Sequence, residues 1–404
     1  MTTVASTGQM EMKGDAAQGP LTSWRKPMWA LFLIALVAGS IGVTARMLSG
    51  HLDTGYGSYV PWGLWIAIYF HGMGIAGGAF AVSSIGYLFR VPGFRTRRSL
   101  RIGIVLAAAA IVAALLAVGF DLGRMERGWR ILVNPSFTSM MAFNAWTYFA
   151  LLAVCAGAWF LSYRPDRGWL RPVLILGALL SLMVPSQSGA FLAVVEAKSY
   201  WNTALLPILM LVSGLTSGAA ALLLVRGVIA GTSTSGTWRE AAEAFTVLRR
   251  IVLIGIGVYF VMEFAEISTG FWTGSAGSES LSLVLTGPYW WVFWVVHVAV
   301  GGVIAIMLLV SRRPISWVLG GGVVAVAFLS SRLNVLVPGQ AVEQLEGLQA
   351  SFFHPRLSYI YRATLMEYLV ALFVLAVGMA VFYVGLRVSA AVETRFARKE
   401  LLDG

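Results

Sequence analysis

The amino-acid sequence predicts an all-α integral membrane protein of about ten transmembrane helices, and three observations carry that prediction. Of its 404 residues, 58% are apolar and only 12% are charged, too little polar surface to clothe a water-soluble globule. The mean hydropathy is +0.79. The apolar residues come in continuous runs of roughly 18 to 25, the length a helix needs to cross a bilayer. A closed barrel would alternate apolar and polar residues instead.

In chain order, residues 1–26 read as a polar cytoplasmic segment ending in Arg25-Lys26. Residues 27–48 follow as a flanking helix. That run is as long as a full span, so it reads as an uncleaved anchor and not as a secretory signal. Further spans are expected to begin near residues 61, 100, 140, 172, 202, 249, 288, 314 and 358. They divide into a first four-helix bundle over 60–197, a second over 200–337, a flanking tenth helix over 356–388 and a cytoplasmic tail over 389–404.

The division rests on an internal recurrence. A knot of small residues, Gly74-Ile75-Ala76-Gly77-Gly78-Ala79, returns 140 residues later as Gly214-Leu215-Thr216-Ser217-Gly218-Ala219. In each copy the next span ends in acids: Asp121 after the first, Glu263 and Glu266 after the second. Four spans separate the copies, an even number, so the repeat runs parallel through the membrane. Small residues let helix backbones approach closely where lipid removes the hydrophobic drive.

The net charge of +11 comes from 29 Lys and Arg against 18 Asp and Glu. With a cytoplasmic N-terminus, 21 of those 29 cations fall on one face, so the positive-inside bias places both termini in the cytoplasm. The charge is therefore topology information and not a nucleic-acid footprint. The single cysteine, Cys155, excludes an internal disulfide and a cysteine-ligated iron–sulfur cluster, which need several thiolates.

Carboxylates in or beside a bilayer span are costly and point to proton or cofactor chemistry. Asp121 opens the stretch GFDLGRMERGW at the outer end of the third span, with Arg124 one helical turn beyond it and within reach of an ion pair. Such a pair either exchanges protons with a quinone headgroup or fixes the loop. Glu263 and Glu266, three apart, share one face of the seventh span and form either a proton step or the wall of a wet crevice. Glu196 stands where the fifth span meets the outside, and Glu367 is expected about nine residues into the tenth. Tyr69 and His71 lie on the second span, the tyrosine able to donate to a carbonyl oxygen and the histidine able to handle protons. His71 and His297 sit at similar depth, so ligation of one haem b is an alternative. A secondary transporter is another, because internal repeats and buried acids occur there too.

Taken together, several stretches resemble the NrfD/PsrC family of polysulfide-reductase-type membrane subunits. They are YFHGMGIAGG from Tyr69 to Gly78, the GFDLGRMERGW stretch with Asn134-Pro135-Ser136 after it, Tyr200-Trp201-Asn202-Thr203, and Val212 to Gly218. Arg332-Leu333-Asn334-Val335 before Pro338-Gly339-Gln340, with Met366-Glu367, looks like the ten-span branch. The resemblance implies a quinone or quinol site near the outer face, with menaquinone or ubiquinone bound as substrate, and no haem, iron–sulfur cluster or other metal in this chain. It implies docking to a ferredoxin-like iron–sulfur subunit that serves a catalytic partner, often a molybdopterin enzyme, in the inner membrane. It carries functional weight onto Tyr69, onto Asp121 with Arg124, and onto Trp201 with Asn202. His71 falls on no clear family position, and Met125 stands where a proline is common.

Overall fold

In the computed structural model, residues 20–134, 136–164, 168–233, 238, 241–272, 277–343, 345, 347–354 and 357–403 are described, with side chains to residue 395. Most of the expected cytoplasmic segment, residues 1–19, lies outside the described residues, as does residue 404. Ten helices are long and apolar enough to cross a membrane: α1 Thr22–Ser49, α2 Leu64–Leu88, α3 Arg97–Asp121, α4 Met140–Leu161, α5 Leu170–Ala193, α6 Leu206–Gly231, α7 Ala242–Trp272, α8 Val292–Val310, α9 Pro314–Gln340 and α10 Leu365–Arg395. No strand occurs among the described residues. The chain is a multi-pass membrane protein.

Local chemistry sets the helix ends. The Thr96 hydroxyl accepts the Ser99 amide at the start of α3, and Ser139 does the same for Ala142 at the start of α4. Pro207 and Pro314 occupy first-turn positions, where the missing N–H costs nothing. Helix α10 begins with a reciprocal cap. The Thr364 amide donates to Glu367 Oε2 (2.9 Å), and the Glu367 amide donates back to Thr364 Oγ1 (3.4 Å). This start, seven residues later than the sequence suggested, puts Glu367 in the first turn of α10 and not deep within the helix.

Helices α2 to α5 pack as a closed ring of four, α2 against α3 and α5, with α4 against both. Helices α6 to α9 make a second group, in which α6 contacts α7 and α9, and α9 contacts α8. The groups meet where α6 lies against α2 and α5. At that seam the two small-residue knots touch: a Cβ added to Gly218 would lie 2.5 Å from the Gly78 and Ala79 backbone. One added to Gly74 would stand 3.1 Å from the Gly214 Cα. Helices α1 and α10 pair with each other, and α10 leans on α3. Leu31, Ile34, Val37 and Ile41 are exposed along α1 at helical spacing, an apolar stripe suited to lipid.

Two helices depart from regular α geometry. Residues Val292–Ile304 of α8 form a π-helix, a rarity that tends to accompany functional sites. Helix α9 is interrupted at Phe328, between segments Pro314–Ala327 and Leu329–Gln340. The carbonyls around the break find other partners: His71 Nε2 lies 2.7 Å from the Ala325 oxygen, and the Ser330 hydroxyl donates to Ala327. Satisfying such groups internally is obligatory where no water is present. Phe328 itself is fully buried and packs on the rings of Tyr259 and His297. By contrast, α5 runs through Pro185 without interruption.

Candidate functional site

Between α6, α7 and the second segment of α9 lies a cavity of about 240 Å³. Its lining comes from the start of α6, the last turns of α7 and the second segment of α9. Leu206 and Leu209 of α6, Leu281 and Val284 of a short helix Gly277–Leu285, and Phe293 of α8 supply its apolar walls. The short helix is tied down by Ser280, whose hydroxyl donates to the Pro338 carbonyl at 3.1 Å. Polar groups converge from the other side: Tyr200, Asn202, Thr203, Tyr259, Glu263, Glu266 and Asn334. An apolar slot with a few placed polar groups is the usual form of a small-molecule site.

Glu263 is the best connected of these. The Tyr259 hydroxyl donates to its Oε1 at 3.0 Å, and its Oε2 lies 3.0 Å from His297 Nε2. The far ring nitrogen, Nδ1, is 3.0 Å from Ser330 Oγ. With the Ser330 hydroxyl donating to Ala327, the tautomer that completes the network carries a hydrogen on Nδ1 and donates it to Ser330. Nε2 and the Glu263 carboxylate are then joined by one shared proton, as acid with imidazole or as carboxylate with imidazolium. Sequence reasoning placed Glu263 and Glu266 on one helix face. It did not pair Glu263 with His297, because the contact is tertiary.

Glu266, one turn further along α7, accepts from the Thr203 hydroxyl at 3.4 Å. The Tyr200 hydroxyl donates to the Asn334 carbonyl at 3.1 Å. Burial, then the charges of Glu263 and Glu266, raise the Tyr200 phenol above its ordinary value and hold it as a donor.

Asp121 occupies a separate cluster. Helix α3 ends there and Leu122 turns extended (φ −67°, ψ 129°), so Arg124 leaves the helix face that carries Asp121. The expected Asp121–Arg124 ion pair is not formed. Arg124 instead stands 3.7 Å from Glu126 in an exposed turn. Asp121 faces Tyr56, whose phenol is raised by burial first and then by the Asp121 charge. Arg46 of α1 caps the end of α3, donating to the carbonyls of Phe120 and Leu122 at 2.9 Å each.

The first helix group holds its own buried polar row. Tyr69 meets the Tyr148 ring edge-on, Tyr148 lies 3.4 Å from Ser188, and Thr147 donates to Gln187 at 2.7 Å. None of these residues lines the cavity, so the structure separates Tyr69 and His71 from Glu263 and Glu266. His71 Nε2 lies on the Ala325 carbonyl with its Nδ1 unpaired, while both His297 nitrogens are engaged. No metal-binding group of His, Cys, Asp and Glu occurs among the described residues.

Of the remaining expected site residues, Asn202 lines the cavity, while Trp201 does not. Trp201 is buried, stacks on Trp62 and donates its indole N–H to the Val335 carbonyl at 2.8 Å. It holds the second segment of α9 in place. Glu196 is exposed in the turn after α5, away from the cavity. Sequence reasoning missed the buried Arg332, 2% exposed, whose guanidinium donates to the Met210 carbonyl and sulfur beside Gly74. A cation that deep in a span was the available signal.

The family described as "Polysulphide reductase, NrfD" matches residues 53–343. Among curated proteins, the chain is 25% identical to a selenate reductase subunit of Mesobacillus selenatarsenatis, over 84% of this chain and 87% of that protein. It is 25% identical to the Hdr-like menaquinol oxidoreductase integral membrane subunit of Archaeoglobus fulgidus, over 91% and 94%. To Protein NrfD of Escherichia coli the identity is 26%, over 61% and 83%.

Proposed function

The chain belongs to the NrfD polysulphide reductase family, and from that premise we propose that it is the quinone- or quinol-reactive membrane anchor of a respiratory oxidoreductase complex. Its relatives carry the names of reductase and menaquinol oxidoreductase subunits, which supports a lipid-soluble hydrogen carrier as substrate. The observation that carries the reading is the cavity, whose apolar walls meet two carboxylates, one of them hydrogen-bonded to a histidine.

A quinol oxidised there gives up two protons and two electrons. Glu263 and Glu266 accept the protons, Glu263 as the carboxylate left when the proton it shares with His297 resides on the imidazole. The electrons pass to a docked ferredoxin-like iron–sulfur subunit and on to the catalytic partner. Reduction of a quinone runs the same transfers backwards. Asp121, at the same end of the spans, hands protons to or from the outer aqueous face. Tyr69 and His71 support the seam between the helix groups and not the headgroup. The chain sits in the inner membrane with both termini cytoplasmic, and its two groups of four helices are parallel repeat units. A transporter would call for matched helix breaks in both groups, whereas α9 is interrupted and α5 is continuous.

Glu263→Gln in the assembled complex tests the reading. The variant keeps shape and a hydrogen-bonding group but cannot take a proton. Quinol-linked turnover is expected to fall by about 10²-fold or more, the scale of general-base loss, with all partner proteins still bound. Turnover near the wild-type level in a fully assembled complex overturns the assignment.

A further inference from the structure

Asn334 sits in the second segment of α9, is 4% exposed, and lines the cavity. Neither its Oδ1 nor its Nδ2 has a hydrogen-bond partner. An unpaired buried polar group is costly, and here both ends of one amide are left open. Two other buried amides, Asn144 and Gln187, each leave one atom unpaired, whereas Asn334 leaves both. Six residues further along the same segment, Gln340 is fully engaged: its Oε1 accepts the Trp62 amide, and its Nε2 donates to the carbonyls of Trp62 and Leu336.

The backbone around Asn334 is also held by side-chain contacts. Tyr200 donates to the Asn334 carbonyl and the Trp201 indole to the Val335 carbonyl. The main chain is therefore fixed in position, and the Asn334 side chain, with its hydrogen-bonding capacity unspent, faces the cavity that Glu263 and Glu266 also line.

We propose that Asn334 binds the headgroup of the quinone in either redox state, its amide matching whichever hydrogen-bonding group the ring oxygen presents. This rests on the reading of the cavity as the quinone site. A quinone carbonyl only accepts, and Nδ2–H donates to it. A quinol hydroxyl donates, and Oδ1 accepts from it. The terminal amide torsion is broad and roughly two-fold, so one half-turn of the side chain serves both states. An aspartate could serve only the donor form at neutral pH, and a leucine neither.

The test uses the full-length protein in detergent, with menadione and its reduced form menadiol as probes, titrated by quenching of intrinsic tryptophan fluorescence. Asn334→Leu is expected to weaken both probes by tenfold or more. Asn334→Asp is expected to weaken menadione at least tenfold more than menadiol, a redox preference that loss of packing would not create. If wild type binds both probes and Asn334→Leu binds them equally well, the assignment of Asn334 is overturned and the quinone reading stands. Equal weakening of both probes by Asn334→Asp also overturns it, even where the leucine variant fails to fold. If wild type binds neither probe, the quinone reading falls and takes this inference with it.

Discussion

Replacing Gly218 with alanine perturbs the seam on which the two helix groups meet. The new methyl would stand 2.5 Å from the Gly78 and Ala79 backbone, where ordinary contact begins near 3.4 Å. The clashing atoms are main chain, so no side-chain rotation relieves them, and α6 must withdraw from α2 by about 1 Å, ordinary contact being restored only at that spacing. Overpacking of this kind costs about 1–3 kcal/mol, and membrane helix pairs rely on such close approach for their dispersion energy. Gly257→Ala on α7 is the matched control, since nothing lies within 4 Å of its added Cβ. It removes a helical glycine and is expected to be neutral or to stabilise by about 0.5–1 kcal/mol. Thermal unfolding of both purified variants in one detergent separates the cases. The reasoning is refuted if Gly218→Ala unfolds at or above the temperature of Gly257→Ala.

Two further perturbations follow from the described contacts. Glu367→Ala strips the acceptor from the Gly55 amide, the Thr364 amide and the Tyr361 hydroxyl; at about 1–3 kcal/mol per buried donor, it should lower the unfolding temperature markedly and expose residues 52–63 to protease. Glu367→Gln, which keeps a carbonyl oxygen, should do much less, and equal damage from both would show that the charge and not the hydrogen bonding matters. Tyr200→Phe should cost about 1 kcal/mol through its lost hydrogen bond to the Asn334 carbonyl. Because the native Tyr200 phenol is raised, its neutral form is the one the fold favours. That contribution is complete below about 10, the ordinary tyrosine value, and disappears as pH climbs toward the raised native value. The stability gap between wild type and Tyr200→Phe should thus be flat across neutral pH and shrink above about 10; a gap that grows there contradicts the assignment.

The spans were legible because the bilayer leaves the sequence little choice: residues long enough and apolar enough to cross must do so as helices. Glu263 and Glu266 were legible for a related reason, since three-residue spacing fixes a shared face. What failed was continuation past a helix end. Asp121 and Arg124 look one turn apart only if α3 carries on, and the extended Leu122 stops it. Helix α10, expected to begin near residue 358, begins at Leu365, because Tyr361 before it spends its hydroxyl on Glu367 and the Leu64 amide. The family resemblance put weight on Trp201 together with Asn202, and only the fold shows Trp201 turned against Trp62 and Gly339. The Glu263–His297 pair and the open amide of Asn334 arise between distant segments, for which no local spacing could give notice.

The bonds around Glu367 also bear on the order in which the protein can be completed. The Gly55 amide, the Leu64 amide and the Trp65 indole N–H, all near the chain start, find their acceptors at Glu367 or Tyr361. A ribosome delivers those acceptors some three hundred residues later. Until then the entrance to α2 carries open donors, so the rim of the early-made half is sealed only when the tenth span arrives. A nascent chain arrested before Tyr361 would be inserted yet unfinished at its beginning, a state for membrane quality control to recognise.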